Sequence, residues 1–169
     1  MITNKDFTKF IKGVFLISLC LYSTACQQKP GNSEPLAAKT EILASKFFDT
    51  YAKRTDWQSF LEQYDSNLIF EDKVLQIQFS KLDEFEAFYN WPDTAFQKHE
   101  DFPNTLVLEQ LICQDSIAVG SGYFTPFYYK EVLYGQDRKL YFSMELHFNQ
   151  AGKIVQHIDW IAYPKSLIN

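Results

Sequence analysis

Neither a basic excess nor a long apolar run marks this chain: 21 acidic side chains face 16 basic ones, for a formal charge of −5. An acidic balance of this kind argues against a nucleic-acid-binding face. Three cysteines and three histidines show no metal-ligand spacing, so neither a metal site nor a cofactor is expected. Internal repeats, a glycine-rich phosphate loop and a nucleophile elbow are also missing, which removes the commonest nucleotide-binding and hydrolase signatures. What is abundant is apolar and aromatic residues, 46% and 17% of the chain. That is ample for one core in a domain of about 140 residues.

The apolar run that does exist is short and lies at the N-terminus. Lys5, Lys9 and Lys12 precede Val14 to Tyr22, followed by Ser23-Thr24-Ala25-Cys26. A basic start, an apolar segment of roughly 10 residues and small residues at a cleavage point describe an export signal rather than a spanning helix. Thr-Ala-Cys resembles the lipobox of bacterial lipoproteins, although Ser23 stands where an aliphatic residue is usual. The resemblance implies removal of residues 1–25, lipidation of Cys26 and a membrane partner reached through it. With Gln27 rather than Asp after the cysteine, it implies a cell-envelope protein on the outer membrane facing the periplasm. Loss of three lysines and Asp6 would move the charge from −5 to −7. Cys113, in the apolar run Leu111-Ile112-Cys113, would then have no disulfide partner and reads as a small core residue.

Residues 26–35 have the polar, proline-containing composition of a flexible tether, leaving 36–169 as the folded domain. Helical spacing runs from Leu36 to about Lys53 through Ile42, Leu43, Phe47, Phe48 and Tyr51. A second helix, capped by Thr55 or Asp56, would carry Trp57, Phe60, Leu61 and Tyr64 on one face. Leu68 to Asp72 and Val74 to Phe79 read as extended. A third helix follows Ser80-Lys81-Leu82-Asp83 and stops at Trp91-Pro92. Four long strands then cover Leu106 to Cys113, Ile117 to Tyr129, Leu140 to Phe148 and Lys153 to Tyr163, with Pro126 marking a bend or edge. Segregated helices and hairpin-linked strands give an α+β domain with one face of an antiparallel sheet against helices.

Two stretches carry a family resemblance: Thr55-Asp56-Trp57 through Leu68-Ile69-Phe70-Glu71-Asp72, and Phe148 to Val155. With the order of elements, they resemble the nuclear transport factor 2-like superfamily, which includes ketosteroid isomerase and the SnoaL-like cyclases. The resemblance implies three helices on a strongly curved antiparallel sheet forming a cone around an apolar pocket, with a homodimer contact through the sheet. It also implies a general base at Asp72. The isomerase's two oxyanion donors fall on Phe48 and Met144, neither of which can donate, and the epoxide-hydrolase carboxylate falls nearest Ala162. An oxyanion donor is typically worth ~2.7–4 kcal/mol, so the expectation is a small apolar ligand bound without being transformed. The alternatives are an isomerase-, dehydratase- or cyclase-type enzyme with Asp72 as base, or a protein-interaction module using the outer sheet face.

The last hairpin decides what faces the pocket. Closure through Asn149 to Lys153 would pair Phe148 with Ile154, Met144 with Ile158 and Phe142 with Trp160. Glu145, His147, His157 and Asp159 would then fall on the convex face. A single bulge would turn that group inward, making His157 and Asp159 catalytic candidates beside Asp72. The expected pocket wall is Phe48, Phe70, Trp91, Tyr123, Phe142, Met144, Ile158 and Trp160, an apolar lining with hydroxyl handles. His99, in the polar loop Lys98 to Asp101, reads as solvated.

Overall fold

The computed structural model describes residues 35–93 and 95–168, with side chains to residue 166. The signal segment 1–25, Cys26 and the tether as far as residue 34 lie outside the described residues. Helix α1 spans Leu36–Lys53 and buries Thr40, Ala44, Phe47, Phe48, Tyr51 and Ala52, a stripe at three- and four-residue steps. It ends where Arg54 adopts a left-handed conformation (φ 49°, ψ 39°) and returns its N–H to the Thr50 carbonyl. Thr105 holds that end in place: its hydroxyl donates to the carbonyls of Tyr51 and Ala52 at 3.0 and 3.1 Å. These helix-end carbonyls, unpartnered within the helix, are thus satisfied.

Helix α2 (Trp57–Leu61) is shorter than the apolar spacing predicts. Asp56 caps it by accepting the Ser59 N–H at 2.9 Å, but the chain turns extended before Tyr64, which begins β1 (Tyr64–Asp72). Strand β2 (Ile77–Phe79) returns antiparallel to β1. Helix α3 (Leu82–Tyr89) starts at Lys81 without a side-chain cap. The Ser80 hydroxyl therefore does not cap it, and instead the Ser80 N–H donates to Glu84.

Strands β3 (Phe96–Lys98), β6 (Phe127–Tyr129) and β7 (Val132–Tyr134) form a small sheet in the order β3-β6-β7. Strands β4 (Leu106–Gln114), β5 (Ile117–Phe124), β8 (Leu140–Phe148) and β9 (Ile154–Ile161) complete a six-stranded sheet, ordered β2-β1-β9-β8-β5-β4. A short helix α4 (Lys165–Ile168) follows. The predicted strand Ile117 to Tyr129 is broken at Thr125-Pro126, because proline cannot donate to a ladder, and its second half joins the small sheet. The large sheet is antiparallel except at β1 and β9, which run parallel.

The inner face of the sheet is filled by aromatics. Phe47, Phe48, Phe60, Phe70 and Phe85 are each at most 2% exposed, as are Leu68, Met144 and Leu146. Room for Phe48 comes from Gly120 on β5: a Cβ there would overlap the Phe48 ring. Gly122, two residues on, lies so close to β4 that a Cβ would overlap the Val107 carbonyl oxygen.

The closing hairpin departs from the expected register. Phe148 pairs with Ile154, but His147 pairs with Gln156, so Val155 is an extra, unpaired residue. From there to its end, β9 is shifted by one against β8: Met144 faces Asp159, Leu146 faces His157 and Phe142 faces Ile161. This bulge reverses the sidedness of the strand. His157 and Asp159 are fully buried on the inner face, whereas Trp160, 39% exposed, points outward.

Candidate active site

Between the sheet and the helices lies a cavity of about 340 Å³. Phe124, Phe127, Leu140 and Ile161 line its sheet side, Leu75, Phe88 and Phe96 its rim, and Tyr51, Arg54, Tyr89, Tyr129 and Tyr163 carry its polar groups. Behind the phenols stand the candidate catalytic residues. Asp72 and Asp159 are register partners on the parallel strands β1 and β9, exposed 1% and 0%, and neither lines the cavity.

Each carboxylate is engaged. Asp72 Oδ1 accepts the backbone N–H groups of Val74 and Leu75 at 2.9 and 2.8 Å, which fixes the tight exit from β1, and Oδ2 accepts the Tyr163 hydroxyl at 2.7 Å. Asp159 Oδ2 accepts the Tyr89 hydroxyl at 2.6 Å. Its Oδ1 lies 2.8 Å from His157 Nε2, but the pair is not aligned as a hydrogen bond, so the contact is an electrostatic close approach. His157 Nδ1 is 2.9 Å from the Tyr64 hydroxyl. If that hydroxyl donates, the ring proton sits on Nε2 and faces Asp159. A buried chain thus runs from Tyr64 through His157 and Asp159 to Tyr89.

Burial first, and the Asp159 charge second, hold the Tyr64 and Tyr89 phenols far above the ordinary tyrosine range. Tyr51 is raised mainly by burial. Tyr163 is raised by burial and by its bond to Asp72. At neutral pH these groups are protonated hydroxyls that cannot serve as bases. Arg54 is lowered from the ordinary arginine value by burial and remains a cation.

Several expected wall residues lie elsewhere. Phe48, Phe70, Phe142 and Met144 are side chains of the packed core, and Phe48 and Phe142 stack at 6.3 Å. Trp91 is buried against Phe60, 4.2 Å between ring centroids, and does not line the cavity. Tyr123 is on the outer face, where the residues of β5 alternate; it meets Tyr141 across the strands and Lys139 lies over its ring at 3.5 Å. Ile158 and Trp160 fall on the outer face because of the Val155 bulge. Glu145 and His147 stay on that face, 2.6 Å apart. His99 is partly covered, stacked on Tyr128 at 5.9 Å, rather than freely solvated.

Hydroxyl donors nevertheless exist. Tyr51 lies one helical turn beyond Phe48 on the same face of α1, a spacing that could have marked it. Tyr89 was visible only as a member of an apolar helix face. Tyr163 and Arg54 follow the ends of their elements, where no periodicity points inward.

Class follows from these observations: an α+β cone of the nuclear transport factor 2-like type, with its mouth open as a small-molecule-sized cavity. Solved structures share it. An 11% identical protein of this kind from Anabaena variabilis ATCC 29413 superposes with a TM-score of 0.58 over 80% of this chain and 96% of its own. A SnoaL-like protein from Shewanella putrefaciens CN-32 is 16% identical, with a TM-score of 0.57 over 74% and 90%. A protein with a ketosteroid isomerase-like fold from Catenulispora acidiphila DSM 44928, in complex with trimethylamine, is 8% identical, with a TM-score of 0.55 over 75% and 88%. At such identities the likeness is one of fold. No protein-family model and no curated protein sequence matches the chain.

Proposed function

We propose that this is a lipid-anchored cell-envelope protein whose cone holds a small, largely apolar molecule without transforming it. One observation carries the second half of that reading: both buried carboxylates are closed off from the cavity by tyrosines that donate to them. A general base must come within about 2.6–3.2 Å, heavy atom to heavy atom, of the group whose proton it removes, and neither carboxylate reaches the cavity. Asp72 has two backbone N–H groups on one oxygen and a phenol on the other. The cavity wall is aromatic and aliphatic, the composition of a binding site for a small molecule.

The anchor rests on Lys5, Lys9 and Lys12, the apolar segment Val14 to Tyr22 and the small residues before Cys26, with Gln27 favouring the outer membrane. A homodimer would use the outer sheet face, where Ile112, Ile117, Tyr141 and Trp160 are exposed.

A second reading is favoured by Tyr163, which belongs to no strand or helix, lines the cavity and donates to Asp72 Oδ2. Were it to swing away, Asp72 would meet a ligand, with Tyr51 as hydroxyl donor. This is an isomerase- or lyase-type enzyme with a carboxylate base. Native mass spectrometry of the full-length protein from its own source separates the two. A co-purifying molecule kept by Asp72→Asn and lost from Phe124→Trp, which fills the cavity, is the outcome expected of a carrier. A compound trapped by Asp72→Asn and absent from wild type would make the protein an enzyme.

A further inference from the structure

Arg54 stands out among the cavity-lining residues as a cation with no anion. Arg54 is half-buried, and its guanidinium lies over the Phe96 ring at 3.8 Å, with Trp91 on another side at 5.2 Å. No carboxylate of the described residues comes within ion-pair distance of it. Asp72 and Asp159 stand behind Tyr163 and Tyr89, which take up their oxygens.

Such a charge is expensive to keep. Partial burial removes hydration that two aromatic faces replace only in part. The backbone is also unusual: Arg54 holds a positive φ of 49° at a helix end that glycine commonly occupies. Thr105 fixes this end through the carbonyls of Tyr51 and Ala52, so the guanidinium starts from a defined position at the mouth of the cavity.

We infer that Arg54 is the anchor for an anionic head group, and that the cavity takes a small aromatic or alicyclic carboxylate. The carboxylate would accept from the guanidinium, and the ring system would lie against Phe124, Phe127, Leu140 and Ile161. This inference rests on the reading of the cone as a ligand site and names the ligand class. A cavity of about 340 Å³ is near the low end for small-molecule sites, ~300–1,000 Å³, which limits the body to one or two rings. A guanidinium supplies paired N–H donors that match carboxylate geometry, and it does so best where water is scarce.

Titration calorimetry of the full-length protein with 1-naphthoate and with its uncharged methyl ester tests this. Wild type is expected to bind the acid roughly 10- to 100-fold more tightly than the ester, the range of a charge-assisted hydrogen bond. Arg54→Gln should bring the acid down to the level of the ester and leave the ester unchanged, and Arg54→Lys should restore part of the difference. Arg54→Gly, favoured at this backbone conformation, gives a well-folded variant with the same loss if glutamine disturbs the helix end. Equal binding of acid and ester by wild type, or equal losses for both in Arg54→Gln, would overturn the assignment while leaving the ligand site intact. Binding of neither molecule would count against the assignment and the ligand-site reading together.

Discussion

Asp159 is the residue whose replacement reports most directly on the buried chain. It contacts His157 Nε2 at 2.8 Å through one oxygen and accepts Tyr89 at 2.6 Å through the other. Asp159→Asn keeps the shape: its oxygen can accept from Tyr89 and its amide can donate to Nε2, provided the histidine proton moves to Nδ1 and is donated to the Tyr64 oxygen. The His157–Tyr64 link then reverses direction while Tyr89 still donates to position 159, and the expected cost is about 1 kcal/mol. Asp159→Leu removes the acceptor of Tyr89 and the carboxylate that lies beside His157 Nε2. Tyr89 lines the cavity and can turn to water there, but His157 is 0% exposed and is stranded. Leaving a buried polar group without a partner costs about 1–3 kcal/mol. Asp159→Leu is therefore expected to be about 1–2 kcal/mol worse than Asp159→Asn. Adding His157→Leu should recover part of the loss, since coupled neighbours are not additive. Urea unfolding followed by tryptophan fluorescence measures all three. If Asp159→Leu proved no worse than Asp159→Asn, the chain would be wet and the buried network described above would be wrong.

Alkaline pH should unfold the protein steeply. Tyr51, Tyr64, Tyr89 and Tyr163 are all raised above the ordinary value of 10.0. Below it both folded and unfolded chains keep these protons; above it only the folded chain does, so stability falls as pH rises. Each tyrosine contributes about 1.4 kcal/mol per pH unit in that window, and urea midpoints compared at about pH 9 and about pH 11 would reveal a flat profile if the phenols were exposed. Deletion of Val155 should remove the extra residue while leaving Leu146 opposite His157 and Met144 opposite Asp159, so both buried residues stay inward and the melting temperature stays near that of wild type; a collapse of the melting temperature would contradict the bulge. Gly122→Ala should destabilise by about 1–3 kcal/mol in the same urea assay, because the obstacle is the Val107 backbone rather than a movable side chain. Radiolabelled palmitate should enter the wild-type protein and not Cys26→Ala, and equal labelling of both would remove the lipid anchor from Cys26.

Most of the fold was legible because its signals are local. The stripe on α1, the strands of the meander and the Pro126 break each follow from side-chain spacing or proline chemistry within a few residues. The site was less legible, for two physical reasons. Parity propagates: one unpaired residue, Val155, inverts every later position of β9, and nothing in Ile154-Val155-Gln156 distinguishes a bulge from regular strand. Counting without it set Trp160 on the wrong face, although a bulge was the stated route by which His157 and Asp159 would turn inward. The second reason is that the cavity's polar groups sit at element ends. Tyr163 and Arg54 lie just beyond β9 and α1, and their direction is decided by the exit of the chain and by contacts such as that of Thr105 with the last helical carbonyls.

The division of the interior into a filled core and an open cavity separates two kinds of evolutionary constraint. Phe47, Phe48, Phe60, Phe70 and Met144 interlock where almost nothing is exposed, so a change of volume there is paid in stability. The cavity adds to Phe124, Leu140 and Ile161 of the large sheet a helix terminus, a turn, short strands and the segment after β9. Those positions contribute less to the interlocking core, and a descendant of this chain could exchange its ligand by altering Arg54, Leu75, Tyr129 or Tyr163 while inheriting the core unchanged.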